Sequence, residues 1–169
     1  MKKALLVVDV QNDFVNGVLG TDDTRAVIPK LRKYLKSFDG EIVFTIDSHN
    51  RRNYSKTIEG KHIPFHCEER KSDLVVKELL PYKLRARLSI IKDTFACYPS
   101  TLLSVFRDYD EIVVVGLLTD ICVVSNALLL RSLFPQKEIT VVSECCVGSS
   151  SENHQSALNV MRSCLINVV

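Results

Sequence analysis

EIVVVGLLTDICVVSNALLLRSLF, residues 111–134, joins a short β-branched run to a longer apolar stretch. Its head, residues 111–116, is apolar throughout and of strand length. Strands of that kind are buried on both faces, as in a parallel sheet covered by helices. Residues 119–134 are apolar on most faces, which predicts a deeply buried helix. Thr119 and Asp120 are capping types at its start, and Pro135 ends it.

The same alternation extends outward in both directions. Residues 4–9 (ALLVVD), 41–47 (EIVFTID) and 138–143 (EITVVS) are further continuous runs; 88–91 and 166–169 are weaker strand candidates, the second placed at the last edge of the sheet. Ile28, Leu31 and Leu35 recur at helical spacing, with Pro29 tolerable in the first turn. Residues 73–80 and 100–106 read as shorter helices. Ser149 and Glu152 stand as a capping box before Ala157, Leu158 and Met161. Residues 48–70 form one long, polar, irregular segment holding three of the four histidines, and loops of that length tend to be functional. There are no internal repeats and no low-complexity linker. Strand–helix alternation predicts a three-layer α/β domain with right-handed crossovers, and 169 residues suit a single domain spanning 1–169.

Composition narrows the function. With 22 basic and 20 acidic residues the net charge is only +2, and the densest basic stretch, residues 83–87, has no aromatic interleaving. That argues against a nucleic-acid groove. No segment reaches the ~18 apolar residues that span a bilayer, so no membrane partner is expected. The N-terminal apolar run stops at Asp9 without a cleavage site, which argues against a signal peptide. The six cysteines lack paired CxxC spacing and read as reduced thiols in a cytoplasmic protein.

In open α/β sheets, ligands bind outside the carboxyl ends of the strands. Asp9 closes the first predicted strand, Asp47 the second, Lys92 follows residues 88–91, and Cys122 begins the helix after residues 111–116. Cys122 alone, between Ile121 and Val123, is more often a small core residue. In the opening turn of a helix, however, unpaired N–H groups favour thiolate and can hold a tetrahedral oxyanion. Asp9 and Lys92 would add a carboxylate to take the thiol proton and a cation to stabilise thiolate. Asp47-x-His49 with His66 gives a carboxylate and two imidazoles, types that suit zinc, iron or manganese, although surface histidines read equally well from the spacing alone.

Three motifs carry a resemblance over nearly the whole chain. Asp9-Val10-Gln11-Asn12-Asp13-Phe14, Lys92-Asp93-Thr94-Phe95 and Gly116-Leu117-Leu118-Thr119-Asp120-Ile121-Cys122-Val123 resemble the isochorismatase-like cysteine hydrolases, nicotinamidases included. The resemblance implies a Rossmann-like αβα sandwich with a six-stranded parallel sheet and an Asp9–Lys92–Cys122 triad. It implies an acyl-enzyme on Cys122, an oxyanion hole from the backbone N–H groups of Leu118 and Cys122, and a cis peptide at Leu117–Leu118. It further implies one divalent metal ion, zinc first, with iron or manganese as alternatives. Its ligands would be Asp47, His49 and His66 of Pro64-Phe65-His66-Cys67, with Glu59 as a fourth ahead of His62. His154 is placed on the solvent face of the last helix.

The partner is then a small-molecule amide, with nicotinamide first and the NAD salvage route as its setting. By family habit the protein forms a homo-oligomer. Phe14 matches the aromatic on one wall of the substrate pocket. Ile63 stands where nicotinamidases place a tryptophan, the chain has no Trp, and Glu68-Glu69-Arg70-Lys71 replaces a Gly-Thr-containing turn. Those departures keep two alternatives: a hydrolase of another small amide or ureide, and a non-catalytic binding module on the same scaffold.

Overall fold

The computed structural model describes residues 1–71 and 73–169. In chain order the elements are β1 (Lys3–Val8), α1 (Asn12–Val15), α2 (Asp22–Ala26), α3 (Ile28–Ser37), β2 (Glu41–Asp47), α4 (Arg51–Tyr54), α5 (Ile58–His62), a 3-10 turn (Lys77–Leu79) and α6 (Leu80–Lys83). There follow β3 (Leu88–Lys92), α7 (Pro99–Phe106), β4 (Glu111–Leu117), a π-helical turn (Thr119–Val123), α8 (Val124–Leu133), β5 (Glu138–Val147), α9 (Ser151–Ser163) and β6 (Asn167–Val168). The strands form one six-stranded sheet in the order β3-β2-β1-β4-β5-β6, every pairing parallel. Chain order reverses beside β1, whose neighbours are β2 and β4, so the ligand crevice of such a sheet opens at their carboxyl ends.

Alternate residues of the central strands feed two cores. Leu6, Val8, Ile112 and Val114 pack on one face with Leu102, Leu130 and Met161 of α7, α8 and α9. Leu5, Val7, Val113 and Val115 pack on the other with Leu31 and Leu35 of α3. Both faces are therefore covered, which is why these strands are apolar without alternation. At Gly116 the β4 ladder shifts register and φ is +123°. A Cβ there would lie 2.2 Å from Val8 O, so only glycine lets β4 pass the end of β1.

Several expectations need correction. Residues 73–80 are not one helix. Asn12 N donates to Leu74 O and Val76 N to Val10 O, so these residues run extended beside the loop after β1; helical bonding begins only at Lys77. The segment 48–70 contains α4 and α5 rather than being wholly irregular. Residues 119–134 divide into the π-helical turn and α8, and Val124, Leu128, Leu129 and Leu133 are half-buried, so the helix is not enclosed. Neither Thr119 nor Asp120 caps it, since both side chains are engaged elsewhere. The cap of α9 is Ser150, accepting from Asn153 N, rather than Ser149 paired with Glu152. The final strand does lie at the sheet edge, shortened to two residues. Among the described residues, no helix is long and apolar enough to cross a membrane.

Candidate active site

Asp9, Lys92 and Cys122 come from the ends of β1 and β3 and the turn after β4, and the fold brings them together. Lys92 Nζ lies 2.7 Å from Asp9 Oδ2, donates to Asp47 Oδ1 at 3.1 Å and reaches Cys122 Sγ at 3.7 Å. Asp9 turns out of β1 with φ 48°, and its Oδ1 accepts from Thr45 Oγ1 at 2.5 Å. Beyond the Lys92 ion pair, Asp9 Oδ2 has no partner among the described residues. All three groups are buried, at 0%, 2% and 5% exposure.

Burial sets their protonation. It pushes the Asp9 carboxyl up, with Lys92 pulling the other way. Burial lowers Lys92, yet Asp9, Cys122 and Asp47 together hold it well above its ordinary value. Burial, and then Asp9, push the Cys122 thiol well up against the pull of Lys92. Burial and the Asp9 charge thus oppose the thiolate that Lys92 favours. Asn126 braces the turn that carries Cys122: Nδ2 donates to Cys122 O at 2.8 Å and Oδ1 accepts from Cys97 N at 2.9 Å. Leu118, next to Cys122 in the cavity wall, follows a cis Leu117–Leu118 peptide.

A second cluster adjoins the first. Asp47 Oδ2 lies 2.9 Å from His49 Nε2 and 3.1 Å from His66 Nε2, and Glu59 Oε1 lies 3.7 Å from each imidazole. One ligand atom from each of these four residues falls within 4.8 Å of all the others. Tetrahedral zinc ligands at ~2 Å from the ion stand ~3.3 Å apart, so closure of the widest pair needs ~1.5 Å of movement. His66 Nδ1 lies 2.9 Å from Pro64 O, the kind of second hydrogen bond that orients a metal-binding histidine, and its Nε2 faces Asp47 Oδ2 at 3.1 Å. Burial pushes the Glu59 carboxyl up, with the Asp47 charge adding to it, while His49 and His66 bonds outweigh burial and hold Asp47 low. Buried carboxylates and imidazoles facing one point fit a divalent cation. His62 lines the cavity but stands outside this cluster.

One cavity of about 280 Å³ joins the two clusters: Cys122, Asp47, Glu59 and His66 all line it. Its remaining wall is mainly apolar, from Phe14, Leu19, Ile63, Pro64, Phe95 and Ile121. The family model described as the isochorismatase domain matches residues 3–169. This chain belongs to the isochorismatase family. It shares with solved members a fold built on the six-stranded parallel sheet and is, as they are, a hydrolase. The pyrazinamidase of Pyrococcus horikoshii in complex with zinc is similar at 23% identity and TM-score 0.80, covering 100% of this chain and 99% of that one. The nicotinamidase of Bacillus subtilis is similar at 23% and 0.82, covering 100% of both chains. The pyrazinamidase/nicotinamidase of Streptococcus mutans is similar at 26% and 0.80, covering 99% of this chain and 100% of that one. No curated protein matches the chain.

In this isochorismatase-family chain several site neighbours carry no sequence signal of their own. Thr45 and Asn126 read as ordinary interior positions of a strand and a helix. Gln11 stands in the polar run after β1, but nothing local says what it holds. Asp120 accepts from Ser149 N at 2.7 Å and from Ser149 Oγ at 2.5 Å, tying the nucleophile's turn to the loop before α9. His154 is half-buried rather than solvent-facing, because its Nδ1 meets Thr119 Oγ1 at 2.8 Å.

Proposed function

We propose that this chain is a metal-assisted, cysteine-dependent amidohydrolase that releases ammonia from a small uncharged amide, with nicotinamide as the first substrate. The observation that carries the reading is the cavity lined both by Cys122 and by Asp47, Glu59 and His66 of the four-residue donor set, which His49 completes from behind the wall. A bound amide would place its carbonyl carbon at Sγ. Asp9 Oδ2 takes the thiol proton as the S–C bond forms, and Lys92 offsets the negative charge left on the pair. The backbone N–H groups of Leu118 and Cys122 receive the oxyanion, a contribution worth ~10²–10³ in rate where one such donor is removed. Asp9 returns the proton to the nitrogen as the C–N bond breaks, then takes one from the water that hydrolyses the thioester.

Asp47, His49, Glu59 and His66 would hold the divalent ion, zinc before iron or manganese. When bound, the ion supplies a Lewis-acid anchor for a ring nitrogen or water-bridged polar group of the substrate. The pyrazinamidase of Pyrococcus horikoshii, similar in fold and solved in complex with zinc, supports that assignment. A second reading, hydrolysis of another small amide or ureide, is favoured by Ile63: the cavity is walled there by an aliphatic side chain, and the chain has no Trp to stack on a ring.

Ammonia release from nicotinamide and a panel of small amides, with zinc supplied, separates these readings. Wild-type turnover of nicotinamide that falls by about 10⁴-fold or more in Cys122→Ala is the expected result. Cysteine-dependent turnover of another amide alone would move the assignment to the second reading. No turnover across the panel would leave a binding module on this scaffold.

A further inference from the structure

We propose that Gln11 is the positioning residue of the candidate metal centre, its side-chain amide replacing a stretch of β-ladder that the fold omits; this rests on reading the Asp47 cluster as a metal site. The β1–β2 ladder runs from Ala4↔Glu41 to Val7↔Phe44 and then stops. β1 leaves the sheet at Asp9, and the Gln11 backbone pairs instead with Val75. β2 continues to Asp47 beside the gap. There Asp47 is 3% exposed, and its main-chain groups would face neither water nor a strand.

The Gln11 side chain fills this gap from a fully buried position. Its Oε1 accepts from Asp47 N at 2.8 Å and its Nε2 donates to Asp47 O at 2.8 Å, the two-way exchange of a neighbouring peptide. The same Nε2 contacts Cys67 Sγ at 3.5 Å, on the residue after His66, whose own N–H is held by Asp13 Oδ2 at 2.6 Å. Gln11 thus touches both chain segments that carry the inner donors, 47–49 and 66–67. Asp47 divides its two oxygens between Lys92 and the histidine pair, so its backbone position sets both clusters at once.

The test is Zn²⁺ affinity, measured by competition with a chromophoric chelator on the full chain. Gln11→Leu is expected to weaken Zn²⁺ binding by about 10- to 100-fold, the range for groups that orient metal ligands. Leu35→Ala on α3, a core truncation, is expected to lower the melting temperature while leaving the affinity unchanged. A folded Gln11→Leu that binds Zn²⁺ within twofold of wild type overturns the proposal. Should Gln11→Leu fail to fold, Gln11→Glu decides. It keeps the acceptor for Asp47 N but sets oxygen against oxygen at Asp47 O, so weakening by tenfold or more supports the role and unchanged affinity refutes it. Wild type that binds no Zn²⁺ would instead remove the metal reading itself.

Discussion

Gly148 shows how closely the site is packed at the scale of one residue. A Cβ there would lie 2.9 Å from Asp120 Oδ1 and 2.9 Å from both Cα and Cβ of His154, while the glycine also lines the catalytic cavity. Overpacking of this kind costs ~1–3 kcal/mol. Gly148→Ala is therefore expected to lose that much in urea unfolding and to lower turnover through displacement of Asp120 within the turn that carries Cys122. Full stability with full activity would show that the loop gives way freely. The convergence of Asp9, Lys92 and Cys122 was legible from sequence because each stands at a strand end or helix start on one edge of the sheet. Thr45 and Gln11 were not, since each earns its place through a partner 36 residues away along the chain. No window of sequence contains both halves of such a contact.

Among the elements, α9 is tied to the nucleophile's turn through His154 and Thr119. Burial lowers the His154 pKa below its ordinary 6.5, only partly opposed by the charge of Asp120. The unfolded chain therefore takes up this proton first as the pH falls. The associated stability is intact above about 6.5 and is lost as the pH drops through the lower folded value. His154→Gln is expected to flatten the fall in melting temperature between neutral and mildly acid pH relative to wild type; parallel curves for the two proteins would clear His154 of this role. Helix ends were the least legible part of the fold. Asp120 and Ser149 have the composition of caps, but they bond each other, and capping passes to Ser150. For residues 73–80 a tertiary pairing with the loop after β1 outweighs the local helical pattern. Strands were read more securely, because double-sided burial imposes an apolar run that no helix face requires.

For the molecule as a whole, the donor set spans the end of β2, α5 and the loop at His66, so an ion bound there would add a tie to segments already linked by the His49 N–Cys67 O and Glu69 N–His49 O hydrogen bonds. A ligand at 100 times its dissociation constant adds ~2.7 kcal/mol to stability. For a protein of 169 residues that corresponds to ~5–10 °C in melting temperature. Zinc is expected to raise the melting temperature of metal-stripped protein by that much, with a smaller rise in Glu59→Gln. Equal shifts in the two proteins, read by calorimetry, would remove Glu59 from the donor set. The layered architecture was legible because it follows from strand spacing and burial; the paths of residues 48–71 and 73–76 were not, because they are shaped by hydrogen bonds to other loops. That division has a consequence for descent. Asp9, Lys92 and Cys122 sit at the tips of β1 and β3 and in the turn after β4, whereas Leu19, Ile63, Pro64 and Phe95 stand on loops around the cavity. A lineage can exchange those wall residues one at a time, trying new diets while inheriting its reaction intact.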